Sequence, residues 1–367
     1  VGPLVFALLV SAVAGVPDAA LTGRTAMRTL KWFAVLLPTA GTLAVLLSGV
    51  LLTLWPVDID LARAFIAGAG GTTPTPVAAN DWGQWLQSVL PPNIIAAAAD
   101  NQILALVIFA LLFGFATTRL GSRPRAVLTD FFSAMAEAMV VIVHWVLLVA
   151  PIGVFALALG VGRQAWLGAA GLLAHYATFV ALVIAIATLA IYPFVAICAG
   201  SLGARRFAVE IAPVQVVAAS TQSSLATLPA MIECARERLG VPSRQAGLVL
   251  PLAVAVFRYT SPLGNLAVCF FVAAMYGLEP SVLQVATAVF VALAVSVGSV
   301  GLPGQVSFVA SVAPICLTLG LRVELLGILI AVEIVPDIFR TIGNVTADLA
   351  VATLVHEGRV EGADVAG

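Results

Sequence analysis

Long apolar segments separated by short polar stretches run along most of the chain, and several are long enough to cross a bilayer as a helix. The last of them, residues 325–355, is not uniformly apolar. Its central part, EIVPDIFRTIGNVTAD at residues 333–348, contains four ionisable side chains, two threonines and an asparagine. Most of these polar residues fall three, four, seven and eleven positions after Asp337, so they share one face of a predicted helix.

A charged stripe on a membrane helix is costly, because each charge at the bilayer centre costs about 3 kcal/mol on insertion scales. The stripe must therefore face a protein interior or a cavity that contains water. One interpretation is an internal ion pair that locks two helices together. Four charges with a threonine and an asparagine on one face favour a second interpretation, a site for a substrate or an ion.

Interruptions distinguish three segments from their neighbours. Residues 127–160, with Pro151-Ile152-Gly153 near their end, and residues 167–199 predict two further helices. Residues 208–240 contain the polar run STQSSLATLP, residues 246–276 contain FRYTSPLGN, and residues 281–320 contain GSVGLPG. Non-helical backbone at membrane depth must line a cavity or be covered by protein. We expect two re-entrant helical hairpins on either side of an interrupted transmembrane helix, and such pairs of interrupted segments are typical of transporter binding sites.

The composition agrees with an all-α polytopic membrane protein. The chain is 62% hydrophobic and 10% charged, with a mean hydropathy of +1.12, whereas soluble domains carry about 25% charged residues. A net charge of −1 provides no basic surface for nucleic acid. The histidines and cysteines lack the spacing of metal ligands, so the sequence predicts neither a metal nor a cofactor.

The basic residues predict the orientation. Of the 17 lysines and arginines, two lie within spans and three, Arg63, Arg163 and Arg322, lie on one side. The other twelve would then be cytoplasmic, which is a strong positive-inside bias for a multi-pass protein of the inner (plasma) membrane with a cytoplasmic C-terminus. They are Arg24, Arg28, Lys31, Arg119, Arg123, Arg125, Arg205, Arg206, Arg236, Arg238, Arg244 and Arg359. The chain also begins inside an apolar run, which suggests that the protein's true N-terminus is missing.

Several motifs, in the right order, resemble the glutamate transporter family, the dicarboxylate/amino acid:cation symporters (sodium:dicarboxylate symporter family). Residues 223–229, SSLATLP, are similar to the tip of the family's first hairpin, and residues 298–304, GSVGLPG, to that of its second. AEAM at 136–139 and APIGVFAL at 150–157 also resemble family segments. The family's last helix carries Asp-x-x-Arg-Thr-x-x-Asn-Val-x-x-Asp, matched by Asp337, Arg340, Thr341, Asn344, Val345 and Asp348.

The resemblance runs from residue 3 to about residue 355, without the family's first helix and most of its second. It implies a homotrimer in the lipid bilayer, with a static scaffold and a transport domain that moves as an elevator. The scaffold would comprise residues 1–23 and 56–166, the transport domain residues 24–55 and 167–357, and a cytoplasmic tail residues 358–367. The transport domain would contain hairpin 1 at about 208–240, the interrupted helix at 246–276, hairpin 2 at about 281–320, and the last helix at 325–355.

The resemblance also implies roles for the polar residues. Asp337 would bind a substrate amino group, Arg340 an acidic side chain and Asn344 an α-carboxylate. A planar guanidinium suits a carboxylate bound through two hydrogen bonds, and an ionised aspartate suits an ammonium. The substrate would be aspartate, glutamate or a C4-dicarboxylate, carried by a secondary active transporter rather than altered by an enzyme. Asp337 favours an amino acid. The other expected substrate-binding residues are Ser223, Ser224, Ser261, Gly301, Pro303 and Thr341.

The chain departs from the family where the family binds sodium. The family's interrupted helix carries Asn-Met-Asp-Gly-Thr, and residues 257–261 here are FRYTS. Hydroxyl groups on the family's third helix also help to bind the cation, and of the matching residues in this chain only Thr39 has a hydroxyl. We expect Arg258 to pair with Asp348 in place of a sodium ion, with Thr39 and Ser299 as the other polar groups of the former site.

Uptake would then be independent of sodium. Proton coupling through Glu333, Asp337 or Asp348 is one replacement, since burial can raise the pKa of a carboxylate into a useful range. Obligate exchange and uncoupled diffusion are others.

Other interpretations stay open. Arg258 could extend to the lipid headgroups, or it could bind a di- or tricarboxylate without an amino group, together with Arg340. The chain could also be a paralogue that has lost transport. An intramembrane protease has little support, because the serines at 223 and 224 have no histidine near a matching apolar span.

Overall fold

The computed structural model describes residues 2–15, 24–68, 93–99, 103–199, 203–298 and 304–363, and within these ranges the regular structure is helical, without strands. The helices are numbered in chain order. They are α1 (Gly2–Ala14), α2 (Arg24–Leu54), α3 (Ile59–Gly68), α4 (Ile94–Ala99), α5 (Ile103–Thr118), α6 (Ser122–Leu189), α7 (Ile191–Cys198), α8 (Ala204–Thr221), α9 (Ser224–Glu237), α10 (Ser243–Val256), α11 (Thr260–Met275), α12 (Val282–Gly298), α13 (Gly304–Thr318), α14 (Leu326–Leu329) and α15 (Ile334–Ala363).

Four segments are long and apolar enough to cross a membrane: Thr25–Leu54, Gly168–Cys198, Ser243–Met275 and Ile334–His356. Shorter apolar helices lie at Ala105–Thr118, Val282–Ser296 and Phe308–Thr318. The prediction of an all-α membrane protein is confirmed. Whether the hairpins re-enter the membrane stays a prediction.

The first of two compact units comprises Val1–Gly15, Val45–Val180 and Asn265–Ile334. In this unit α1 packs against α5 and α12, and α12 packs against α13. Phe6 contributes to the first of these contacts, with its ring centroid 6.0 Å from that of Phe109 on α5, and it also lies 5.6 Å from the ring of Phe132 on α6. The Arg125 guanidinium donates to the Ala14 carbonyl oxygen at 3.1 and 3.0 Å. It thereby satisfies one of the carbonyl groups that the end of α1 leaves without a helical partner.

The second unit comprises Val16–Ala44, Ala181–Gly264 and Val335–Gly367. Helices α7, α8, α9 and α10 pack one against the next in chain order. Gln215 on α8 connects two other elements of this unit. Its Nε2 donates to the Tyr192 hydroxyl on α7 and to Thr346 Oγ1 on α15, each at 2.7 Å. A half-buried amide that donates to two helices helps to fix their relative position, because each of these bonds contributes to stability.

A sharp turn joins α8 to α9, where the first hairpin was predicted. Gln222 has a positive φ of 48°, and Ser223 is the N-cap of α9, with its side chain accepting from the backbone N–H of Ala226 at 3.2 Å. Serine is among the preferred N-cap residues because its oxygen satisfies a free N–H at the start of a helix. The motif therefore forms a helix–turn–helix.

The predicted interruption is also present, because α10 ends at Val256 and α11 begins at Thr260. Helices α12 and α13 pack against each other where the second hairpin was predicted. The tip of that hairpin, residues 299–303, lies outside the described residues.

Two helices differ from the prediction. Residues 127–160 and 167–199 were expected to form separate helices, but α6 continues through residues 161–166, which contain no proline to end it. The last helix was expected to be continuous from residue 325. Instead α14 and a short 3₁₀ helix, Ile330–Val332, precede α15. Helix α15 begins two residues before Pro336, and proline is well tolerated in a first helical turn, where its missing N–H has no partner to lose.

The two compact units do not follow the predicted scaffold and transport ranges. The units reflect contacts within one structure, whereas the predicted ranges describe groups of helices that move together. The scaffold and transport domains therefore stay a prediction.

Candidate functional site

The polar stripe of α15 is largely covered by protein. Asp348 has no exposed surface, Asn344 is 3% exposed and Arg340 is 8% exposed. Asp337, three residues before Arg340, remains half-exposed. The hydroxyl of Thr341 donates to the Asp337 carbonyl oxygen of its own helix at 3.0 Å. A buried guanidinium beside a more accessible carboxylate can offer opposite charges to one small molecule.

Thr260, the first residue of α11, anchors this helix to α15. Its backbone N–H donates to Asn344 Oδ1 at 2.9 Å. Its hydroxyl oxygen lies 2.9 Å from both Asn344 Oδ1 and the Arg340 carbonyl oxygen. The first N–H groups of a helix have no partner within the helix, so Asn344 acts as a cap supplied by another helix. The start of α11 is thus held in place by the residues of the stripe.

Gly343 allows α15 to lie close to α11. A Cβ atom at this position would lie 2.5 Å from Thr188 Oγ1 and closer still to Thr260 Cγ2. Both neighbours are β-branched side chains with little freedom at χ1. A residue larger than glycine at 343 would therefore push α15 away from α11.

Arg258 lies in the break between α10 and α11, on the same side of the site as two carboxylates. Its positive charge is attracted by Asp337 and Asp348 and repelled by Arg340. Neither carboxylate oxygen of Asp348 has a hydrogen-bond partner among the described residues. Arg258 is therefore within electrostatic reach of Asp348 without a direct hydrogen bond to it. The predicted pairing of the two stays a prediction.

The two aromatic residues beside Arg258 are packed into the protein. Phe257 is 1% exposed and stacks on Phe33 of α2, with ring centroids 4.4 Å apart and an interplanar angle of 3°. Tyr259 is buried and donates its hydroxyl to the Ala187 carbonyl oxygen at 3.3 Å. Thr39 is exposed and donates to Val35 of its own helix at 2.8 Å. This set does not fit a sodium ion, which requires several converging oxygen ligands.

The other predicted residues divide into two groups. Ser223 and Ser224 lie half-buried at the turn before α9, and Ser223 uses its side chain as a cap. Ser261 is 7% exposed and donates its backbone N–H to the Arg258 carbonyl oxygen at 3.0 Å. The hairpin residues Ser299, Gly301 and Pro303 lie outside the described residues.

Glu333 has a different neighbour from the rest of the stripe. It precedes α15, belongs to the first unit, is 7% exposed and accepts a hydrogen bond from the buried hydroxyl of Tyr176. These residues are 157 positions apart, and no local sequence pattern indicated the contact. Within the described ranges, no cluster of histidine, cysteine, aspartate and glutamate could hold a metal ion.

Comparison with known proteins identifies the relatives of the chain. Residues 1–357 match the model of the sodium:dicarboxylate symporter family. The chain is 31% identical to the proton/glutamate-aspartate symporter of Escherichia coli (strain K12), over 97% of this chain and 82% of the relative. It is 27% identical to the proton/sodium-glutamate symport protein of Bacillus subtilis (strain 168), with the same coverage. It is 29% identical to the C4-dicarboxylate transport protein of Rhodopseudomonas palustris (strain BisB5), over 83% of this chain and 67% of the relative.

Proposed function

The chain belongs to the sodium:dicarboxylate symporter family, and we propose that it is a secondary transporter of an acidic amino acid. The observation that carries this proposal is the pairing of charges on α15. The buried guanidinium of Arg340 suits a side-chain carboxylate, and the half-exposed carboxylate of Asp337 suits an ammonium group. Asn344 is positioned by Thr260 to bind the α-carboxylate. Aspartate and glutamate carry all three groups.

The transporter works as a homotrimer in the inner membrane, with its C-terminus in the cytoplasm. The scaffold and transport domains are those assigned by the resemblance, and the transport domain moves as an elevator. The two hairpins re-enter the membrane from opposite faces. The helix–turn–helix at Ser223 supports the first hairpin, and the excess of basic residues on one side supports the orientation.

Transport does not use sodium. Phe257 supplies a ring instead of an oxygen ligand, and Tyr259 donates its hydroxyl to a backbone carbonyl group. Arg258 brings a permanent positive charge into electrostatic reach of Asp348, which supports its role as a substitute for a bound cation. Coupling is to protons, or transport is an exchange of substrates. A relative whose name includes proton coupling covers 97% of this chain.

Uptake of labelled aspartate into proteoliposomes tests the function and the coupling together. We expect that an imposed sodium gradient changes the initial rate by less than about twofold, because the residues at 257–259 do not form a site for a hard cation. An imposed pH gradient, acid outside, should raise the rate if protons are coupled. Preloading with unlabelled aspartate should raise it if the protein is an exchanger.

Arg244→Ala, at an exposed position of α10, is a suitable control for charge removal in these uptake assays. Stimulation of uptake by sodium at a fixed pH and membrane potential would contradict the assignment. Binding of neither acidic amino acids nor dicarboxylates by the purified protein would instead support a paralogue that has lost transport.

A dicarboxylate without an amino group is the second candidate substrate. Arg258 and Arg340 both act on Asp337 and lie close enough to repel each other. Two guanidinium groups in one site could bind two carboxylates of a di- or tricarboxylate substrate. Under this alternative Arg258 contacts the substrate.

Asp337→Asn separates the two substrates. If the substrate is an amino acid, the variant should lose at least about tenfold in affinity for aspartate, because a charge-assisted hydrogen bond to the ammonium is worth roughly 1.5–3 kcal/mol. Its affinity for succinate should stay the same or rise. Competition against labelled aspartate and labelled succinate measures both values. Tight binding of succinate by the unaltered protein, with little binding of aspartate, would favour the second candidate.

A further inference from the structure

The guanidinium of Arg340 lies directly against the backbone of α11 at Gly264. A Cβ atom on Gly264 would lie 2.5 Å from Cζ and 2.8 Å from Nη2 of Arg340, and closer still to Nη1. Carbon atoms in favourable contact are about 3.5–4.0 Å apart. The guanidinium therefore occupies the space that any other side chain at position 264 would fill.

Two helical faces meet at this point. Thr260 and Gly264 are four residues apart on α11, and Arg340 and Asn344 are four residues apart on α15, so each pair shares one face of its helix. Thr260 holds the carbonyl oxygen of Arg340 and the side chain of Asn344. One turn further along α11, Gly264 faces the far end of the Arg340 side chain. Both the main chain and the charged group of Arg340 are thus placed by the first two turns of α11.

The two glycines at this contact have different roles. The neighbours of Gly343 are branched side chains close to their own backbone, so a larger residue there would disturb the packing. The neighbour of Gly264 is the end of a long, flexible side chain, which could turn away from a methyl group. Glycine is a poor helix former, so alanine at 264 would favour the helix itself. The fold could accommodate alanine at 264, but the guanidinium could not stay where it is.

We propose that Gly264 is a positioning residue for substrate binding, which sets the depth and direction of the Arg340 guanidinium. The proposal rests on the proposed role of Arg340 as the partner of a substrate carboxylate. A guanidinium binds a carboxylate best through two parallel hydrogen bonds, and this geometry depends on the direction of its plane. Because residue 264 has no side chain, the guanidinium can lie against the backbone of α11, and this contact limits the orientation of its plane. A methyl group there moves the charge without removing it.

Gly264→Ala tests the proposal because it should weaken substrate binding without lowering the stability of the protein. We expect at least about a tenfold loss of affinity for labelled aspartate, or for labelled succinate if the unaltered protein prefers it, because a shift of about 1 Å in a positioned group has effects of this size or larger. The thermal midpoint of unfolding should stay the same or rise, because alanine favours the helix. Gly247→Ala is the matched control, since nothing lies within 4 Å of a Cβ at that position of α10. Unchanged affinity in Gly264→Ala, or a variant that does not fold, would overturn the proposal.

Chemical modification tests the same idea without a substrate. Phenylglyoxal reacts with exposed guanidinium groups, and Arg340 is only 8% exposed. We expect Gly264→Ala to raise the rate of modification of Arg340 several-fold in peptide mass spectrometry, while Gly247→Ala does not. An unchanged rate would show that the guanidinium has not moved and would contradict the proposal, whatever the substrate is.

The double variant Gly264→Ala/Arg340→Ala separates this proposal from the proposed function. If Gly264 acts through Arg340, the double variant should bind no more weakly than Arg340→Ala alone. Additive losses would show that Gly264 acts by another route. If Arg340→Ala leaves binding unchanged, the proposed function of Arg340 fails, whereas the modification rate still reports on Gly264.

Discussion

Replacing Arg340 with alanine should weaken binding of the acidic substrate by about 30-fold or more. Removing one partner of a buried, hydrogen-bonded charge pair costs roughly 2–5 kcal/mol, and each 1.4 kcal/mol is a factor of ten. The guanidinium is also the group proposed to bind the side-chain carboxylate of the substrate. Equilibrium binding of labelled aspartate to the purified protein measures the change.

Arg340→Lys refines the interpretation, because lysine keeps the charge but cannot form two parallel hydrogen bonds to one carboxylate. We expect its affinity to lie between those of Arg340→Ala and the unaltered protein. The hydrogen bond from Thr260 to the backbone of residue 340 persists in both variants, so their thermal stability should change little. Arg244→Ala removes an exposed charge from α10 and should bind normally. Full affinity in Arg340→Ala would show that the substrate binds elsewhere.

Replacing Arg258 with methionine should destabilise the protein by roughly 3 kcal/mol or more, because it leaves the wholly buried Asp348 without its compensating charge. Asp337 would be less affected, since Arg340 also acts on it. In thermal unfolding of the detergent-solubilised protein, the midpoint should fall by about 4 °C or more. A matched Arg244→Met variant should unfold at the normal temperature.

The double variant Arg258→Met/Asp348→Asn should recover most of that loss. With both charges removed, no buried charge is left without a partner, and replacing a buried pair is far less harmful than breaking it. A double-mutant cycle over these residues would then give a favourable coupling free energy. Losses that simply add would show that Arg258 and Asp348 do not depend on each other, and the substitution for a bound cation would be wrong.

The sequence predicted α15 and its polar face well, because both depend on local properties. The spacing of Asp337, Arg340, Asn344 and Asp348 follows the helical period, and the cost of burying them required a protein environment around them. The break at residues 257–259 was likewise visible as a polar interruption of an apolar segment. These features need no knowledge of which helices become neighbours.

Contacts between distant segments could not be predicted in this way. Thr260 binds Asn344 across 84 positions, and Tyr176 binds Glu333 across 157. Gly264 was only one glycine among the 31 in the chain, and its significance depends on the guanidinium that lies against it. Such contacts depend on the register between two packed helices, which helical periodicity does not determine. A hydroxyl residue directly after the break, Thr260, was the one local signal that could have indicated the cap.

The uninterrupted course of α6 has a related explanation. Apolar periodicity marks where a helix can lie in a membrane, but it does not mark where the helix ends. Residues 161–166 contain a glycine but no proline, and α6 continues through them as it does through Pro151. The prediction confused the length of a span with the length of a helix.

The stacked pair of Phe33 and Phe257 also affects how the ion dependence of this protein can evolve. Restoring a ligand at position 257 by Phe257→Asn would remove a fully buried ring and leave Phe33 without its partner, at a cost of about 3 kcal/mol or more. That step alone would not create a cation site, because Arg258 and Tyr259 would still be present. The stacked pair therefore makes a return to a polar residue at position 257 costly as a first step.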